Sequence, residues 1–123
     1  NNYKNEVINN NQDYIIKSIE VNSVKILNYL LDNNSNINKH IFSSILFKKK
    51  KNDKLFIENI IKNHLYLIPN EKPFIRLSVN CGVDIKLLKI LIENGYYFNE
   101  EDIIDSINNK NIELAKIMIN SID

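Results

Sequence analysis

One cysteine, Cys81, is all that the 123 residues contain, so no internal disulfide can staple this chain and a reducing compartment suits it. Excess charge of either sign is lacking too. Sixteen basic against fifteen acidic side chains leave a net +1, which removes any global field drawing the molecule to nucleic acid or membrane. No apolar run approaches the roughly 18 residues needed to cross a bilayer, and the opening residues NNYKNEVINNNQ lack the apolar core of a signal peptide. A soluble, cytoplasmic, monomeric protein without membrane contact is the expectation. Catalytic and metal-binding signatures are equally scarce. Neither His40 nor His64 has a second ligand at the spacing a zinc site uses. Glu100, Glu101, Asp102 and Asp105 lack the alternating oxygens and central glycine of a calcium loop, and read instead as a helix N-terminus with a solvated face. With no convergent acid, base or nucleophile, the sequence predicts no enzyme, no metal and no cofactor.

What is present is a repeat. Lys25 to Asn38, KILNYLLDNNSNIN, aligns with Lys86 to Asn99, KLLKILIENGYYFN, pairing Leu27 with Leu88, Leu30 with Leu91, Asn33 with Asn94 and Asn38 with Asn99. The apolar pairs Leu30-Leu31, Ile60-Ile61, Leu91-Ile92 and Met118-Ile119 then recur at steps of 30, 31 and 27 residues. Units of this size cannot bury their apolar faces alone and must stack on neighbours. With 44% hydrophobic residues there is enough apolar material for one continuous core. Ahead of each pair lies a small residue, Ser18, Ser44, Ser78 or Ser106, which lets two helices approach closely.

Taken in order, the chain reads as units at about 13–38, 39–68, 72–99 and 100–123, all within a single domain of 1–123. Residues 1–12 are the tail of a preceding unit or a cap, with Val7, Ile8 and Asn9 resembling Ile37-Asn38. Asp13 stands where an N-cap belongs, ahead of Tyr14, Ile15, Ile16 and Ile19. A helix over Val24 to Asn33 puts Ile26, Leu27, Leu30 and Leu31 on one face. Asn34 and Gly95 hold the left-handed position that ends a helix. HIFSSILF and LFIENIIKN form the second pair, separated by the run Lys48 to Lys51. Pro73 opens the third, with Gly82 at its internal turn, and Asn99 caps the fourth. The absence of an initiating Met and the ending straight after a helical pattern suggest a piece of something longer. Asn and Ile exceed a third of all residues, a bias that AT-rich codons would produce.

Three segments carry a family resemblance. Asn108 to Ile119 (NNKNIELAKIMI), Leu87 to Asn99 (LLKILIENGYYFN) and Ile26 to Asn38 (ILNYLLDNNSNIN) are similar to parts of the ankyrin repeat consensus TPLHxAAxxGHxEVVKLLLxxGADVN. The four serines fall at or near that family's small alanine. The TPLH motif itself is missing, with KPF at Lys72 to Phe74 the nearest, and Ile16 or Ile104 stands where the family has its histidine. The short units lose the residues that build projecting fingers. Worn, Asn- and Ile-rich copies of this kind resemble those of large DNA viruses and AT-rich microbes, which would allow a host-cell cytoplasm as well.

The resemblance implies an all-α, helix-turn-helix solenoid of about four repeats with short or absent fingers, binding another protein on a concave face. Positions matching that face are Tyr14, Lys17, His40, Ser43, Asp102 and Asp105, with the turn residues Asn22 and Lys110. Two other roles compete. The Lys48–Lys51 run could bind nucleic acid or anionic lipid headgroups, although it lacks an accompanying aromatic platform; otherwise it is a charged turn. The chain could also be a spacer within a longer array. Of Tyr96, Tyr97 and Phe98, Phe98 matches Ile37 as a core residue and the tyrosines are left as contact residues. Cys81 reads as a structural thiol, and the histidines as surface or capping residues.

Overall fold

The computed structural model describes residues 12–33 and 37–122. The expectations at residues 1–11 and at Asn34 lie outside them. Eight α-helices follow in pairs: α1 (Gln12–Glu20) and α2 (Val24–Asn33), α3 (Lys39–Lys48) and α4 (Lys54–Asn63), α5 (Phe74–Asn80) and α6 (Ile85–Glu93), α7 (Glu100–Asn108) and α8 (Ile112–Ser121). A 3-10 turn, Leu65–Leu67, follows α4, and no strand occurs among the described residues. The fold is the all-α helix-turn-helix solenoid that the resemblance implied, with no projecting finger among the described residues. Second helices stack in series, α2 on α4 on α6 on α8.

Asparagine and aspartate start most of these helices. Asn38, Asp53, Asp84, Asn99 and Asn111 each accept a hydrogen bond from a first-turn backbone amide, supplying partners to donors the helix leaves unmet. The repeat match thus has a backbone cause: Asn38 and Asn99 are both N-caps. Asn33 and Asn94 likewise both donate from Nδ2 to the carbonyl four residues back, at 2.7 Å in each case. Asp13 is a correction. It sits inside the first turn of α1 rather than capping it, where a carboxylate still meets the helix dipole favourably. Pro73 takes the N-cap position immediately before α5.

Three of the four pairs are closed by one device. The carbonyls of Ser18, Ser78 and Ser106 accept from the amides of Ser23, Val83 and Asn111 at 2.9, 3.1 and 2.8 Å, and the residue before each donor is left-handed: Asn22 at φ 55°, Gly82 at 78°, Lys110 at 60°. Gly95, at φ 76°, ends α6 as expected. A lysine gains nothing from a left-handed backbone, which costs an ordinary L-residue about 1–2 kcal/mol; glycine offsets part of that with extra freedom when unfolded. Lys110→Gly should therefore raise stability by about 0.5–1 kcal/mol, and Asn22→Gly by less, because asparagine tolerates this region. Urea unfolding midpoints of the two variants would check this order.

The second pair departs from the pattern. Helix α3 runs on to Lys48, then Lys49 is extended (φ −69°, ψ 130°), and the chain crosses to α4 without the left-handed turn. Lys49 Nζ donates at 2.7 Å to the Ile19 carbonyl at the end of α1, which also accepts from the Asn22 amide at 3.2 Å. The buried small residue here is Ser43, not Ser44, which is only half-buried.

Leu30, Ile60, Leu91 and Met118 are all buried, as the spacing requires. Neighbouring positions reveal the stacking direction. Leu31, Ile61 and Ile92 are buried, whereas their equivalent Ile119 is 50% exposed; Phe56, Leu87 and Leu114 are buried, whereas Ile26 is 50% exposed. Each position thus packs on one neighbouring unit, and Ile26 and Ile119 belong to the outermost described pairs. Ile26 accordingly leaves the apolar face assigned to it from sequence.

Candidate interaction face

The eight predicted contact residues do not share one environment. Tyr14 and Lys17 are exposed on α1, with Lys17 Nζ 3.6 Å from Glu20 Oε2. His40 is exposed in the first turn of α3 and Asp105 on α7. Asn22 and Lys110 occupy the left-handed turns, and Asn22 Oδ1 accepts from the Asp53 amide at 3.3 Å, tying the first turn to the second unit. Two residues must be corrected. Ser43 is fully buried, with its Oγ donating to the His40 carbonyl at 3.3 Å, so it spaces helices and cannot meet a partner. Asp102 is only 9% exposed and serves the fold.

Asp102 holds two things at once. Its Oδ2 accepts from the Asn99 amide at 2.9 Å while Asn99 Oδ1 accepts from the Asp102 amide at 3.2 Å, a reciprocal capping box. Its Oδ1 accepts from Arg76 Nε at 2.8 Å, linking α5 to α7, and the hydrogen bond and charge of Asp102 push the Arg76 guanidinium further above its ordinary range. Between these helices lies a recess of about 120 Å³, floored by Ile75, Leu114 and Met118 and rimmed by Arg76, Asp102 and Asp105.

The aromatic cluster also divides differently from the sequence reading. Tyr96 is buried, its Oη 2.6 and 3.1 Å from the Ile68 and Leu65 carbonyls, and its ring packs against Phe74. Burial pushes its phenol up. Tyr97 remains exposed, and its amide donates to the Asn70 carbonyl at 2.9 Å, so adjacent loops meet through backbone and through Asn70 Nδ2 donating to the Asn94 carbonyl at 3.1 Å.

His64 ends α4, as a capping role requires, but is buried rather than on the surface. Its Nε2 faces Asn28 Oδ1, and Asn28 exchanges amide hydrogen bonds with Asn59 at 3.0 and 3.3 Å, a polar seam between α2 and α4. Nδ1 is buried without a partner among the described residues. Burial pulls the imidazole down, partly opposed by the Asp32 carboxylate. An unfolded histidine binds its proton near pH 6.5, so below that pH the unfolded state binds more protons than the folded one until the lowered folded value is reached. Stability should fall as pH drops through this window. Urea midpoints at pH 7.5 and 5.5 would show it, and His64→Gln should flatten the difference.

Cys81 is a partly buried free thiol, pushed up by burial first and by the Asp53 carboxylate second, which disfavours the reactive thiolate. Among the described residues no group of three or more His, Cys, Asp or Glu could hold a metal ion, and no helix is long and apolar enough to cross a membrane.

Comparison with known proteins agrees with the geometry. Over 115 residues, 91% of this chain, 35% of positions are identical to a protein of Acanthamoeba polyphaga mimivirus that is named as an ankyrin repeat protein. The chain spans 18% of that relative's length. No family model matches the chain, and no solved structure matches it.

Proposed function

We propose that this chain is an ankyrin repeat module that works by binding another protein rather than by catalysis, with the partner seated on the concave face lined by the first helices. The observation that carries this is the division between constant and variable positions. The second helices repeat their buried layers across the four pairs, while the exposed first-helix residues Tyr14 and Lys17 of α1, His40 of α3 and Asp105 of α7 have unlike chemistry. A scaffold that repeats under a surface that differs is what a specific binding face requires. Asn22 and Lys110 extend this set at the turns, while Ser43 and Asp102 belong to the scaffold. The likeness to a mimivirus ankyrin repeat protein supports the same class, and a cytoplasmic, monomeric module is the form we propose.

The rival roles have less support. Within the lysine run Lys49 is occupied by the Ile19 carbonyl, which leaves Lys48 at the end of α3 and Lys50 and Lys51 on the crossing segment exposed. A spacer role predicts no preferred face at all.

Lysines mark both sides of the molecule, Lys17, Lys39 and Lys110 beside the first helices and Lys25, Lys62, Lys89 and Lys116 on the second, all exposed. Amine cross-linking during capture from the native cell should therefore join partner peptides to the first group. Cross-links confined to the second group would overturn the concave-face reading, and specific capture lost between low and moderate salt would favour the lysine run.

A further inference from the structure

We infer that the recess between α5 and α7 takes the side chain of one lysine or arginine from a docked protein segment. This deepens the protein-binding reading and rests on it. The recess has room for several water molecules at about 120 Å³, enough for the stem of one long side chain. Ile75, Leu114 and Met118 give it an apolar floor and Val79 adds to the wall, so methylene groups are suited to its depth.

Charge at the rim selects what tops the stem. Both oxygens of Asp102 are engaged, one by Arg76 Nε and the other by the Asn99 amide, so this acid and Arg76 largely neutralise each other. Asp105 lies three residues on, on the same side of α7. Its carboxylate is exposed, lines the recess, and has no ion pair or side-chain hydrogen bond among the described residues. The lining thus carries one negative charge in excess, with exposed Glu100 and Glu101 on the same helix adding to it and Lys110 in the following turn offsetting one. An acidic side chain would have to displace Asp102 from Arg76 and face Asp105. An aliphatic one would fill the floor and leave Asp105 to water. A basic residue lays its stem on the floor and keeps its charged head at the rim, as such side chains do along apolar surfaces, where Asp105 is free to meet it.

Met118 is the single methionine of the chain, so its methyl group is one unambiguous NMR reporter in the recess floor. Capped alanine pentapeptides with arginine, lysine, norleucine or glutamate at the centre would be titrated into the full chain. Arginine and lysine peptides should move the Met118 methyl signal in a saturable way and more strongly than norleucine; the glutamate peptide should not move it. Asp105→Asn, at an exposed position, should weaken the basic peptides by roughly three- to tenfold and leave norleucine unchanged. Norleucine or glutamate binding as well as lysine, or an unaltered response in Asp105→Asn, would overturn the assignment. If no peptide moves Met118 while cross-links still fall on the first helices, the recess assignment fails and the protein-binding reading stands. If the basic peptides bind as expected while cross-links fall on the second helices, the recess assignment stands and the concave-face reading fails.

Discussion

Leu91→Ala should destabilise the chain by about 2–5 kcal/mol, the range for deleting a large aliphatic side chain from a packed interior. Leu91 is fully buried in α6, which lies between α4 and α8. A cavity there would be lined by units on both sides, with little freedom for either to close on it. The informative contrast is Ile119→Ala. Ile119 immediately follows Met118 in the repeat pattern, as Ile92 follows Leu91, yet it is half exposed. Its loss should therefore cost under about 1 kcal/mol, in line with the area it actually buries. Urea unfolding would measure both, with the midpoint moving and the slope unchanged if the denatured state is unaffected. Equal costs at Ile119 and at its buried equivalent Ile92 would mean that burial depends on position within the repeat and not on having neighbours on both sides, contrary to a linear stack.

The same dependence on neighbours decides which residues are legible in the sequence alone. Leu30, Ile60, Leu91 and Met118 are legible because every unit needs an apolar residue facing its own partner helix, and this need recurs at a fixed interval. Asn38 and Asn99 are visible as a pair, since capping is local chemistry that each unit must solve for itself. Residues whose surroundings come from another unit are not legible. Ile26 looks as apolar as Leu27 and is exposed only because no described unit packs on it. Tyr96 looks like a surface aromatic beside Tyr97, and is buried because the Leu65–Leu67 turn of the preceding unit offers carbonyls to its hydroxyl. Lys49 is one lysine among four until the end of α1 arrives beside it. For Ser43 and Ser44 the choice depends on how far α3 runs, and the missing left-handed turn adds residues that spacing alone does not assign to helix or crossing. Among the contact residues, Tyr14, Lys17, His40 and Asp105 are accessible, whereas Asp102 can be read as a cap by its position after Asn99 but not as the partner of Arg76, 26 residues earlier.

Asp102→Ala should cost about 1–2 kcal/mol, because two separable contributions disappear together. The capping box contributes about 1 kcal/mol: without the carboxylate, the Asn99 amide loses its acceptor at 2.9 Å. The ion pair contributes less than its 2.8 Å length suggests, since the Arg76 side chain is 42% exposed and water screens it. A double-mutant cycle with Arg76→Met separates the two. A coupling of about 0.5–1 kcal/mol is expected between residues 76 and 102, while the capping loss should persist unchanged when Arg76 is absent. Asp102→Asn should fall between, because an amide oxygen can still accept from the Asn99 amide while offering Arg76 no charge. If the coupling is near zero, the pair aligns α5 with α7 without stabilising them, and its consequence would be found at the recess. Arg76 released from Asp102 would then be free to meet Asp105, and basic peptides should lose their advantage over norleucine in Asp102→Ala even where the fold is intact. Stability and recognition would then diverge at one side chain, with the cap measured by unfolding and the charge balance of the rim by the Met118 signal.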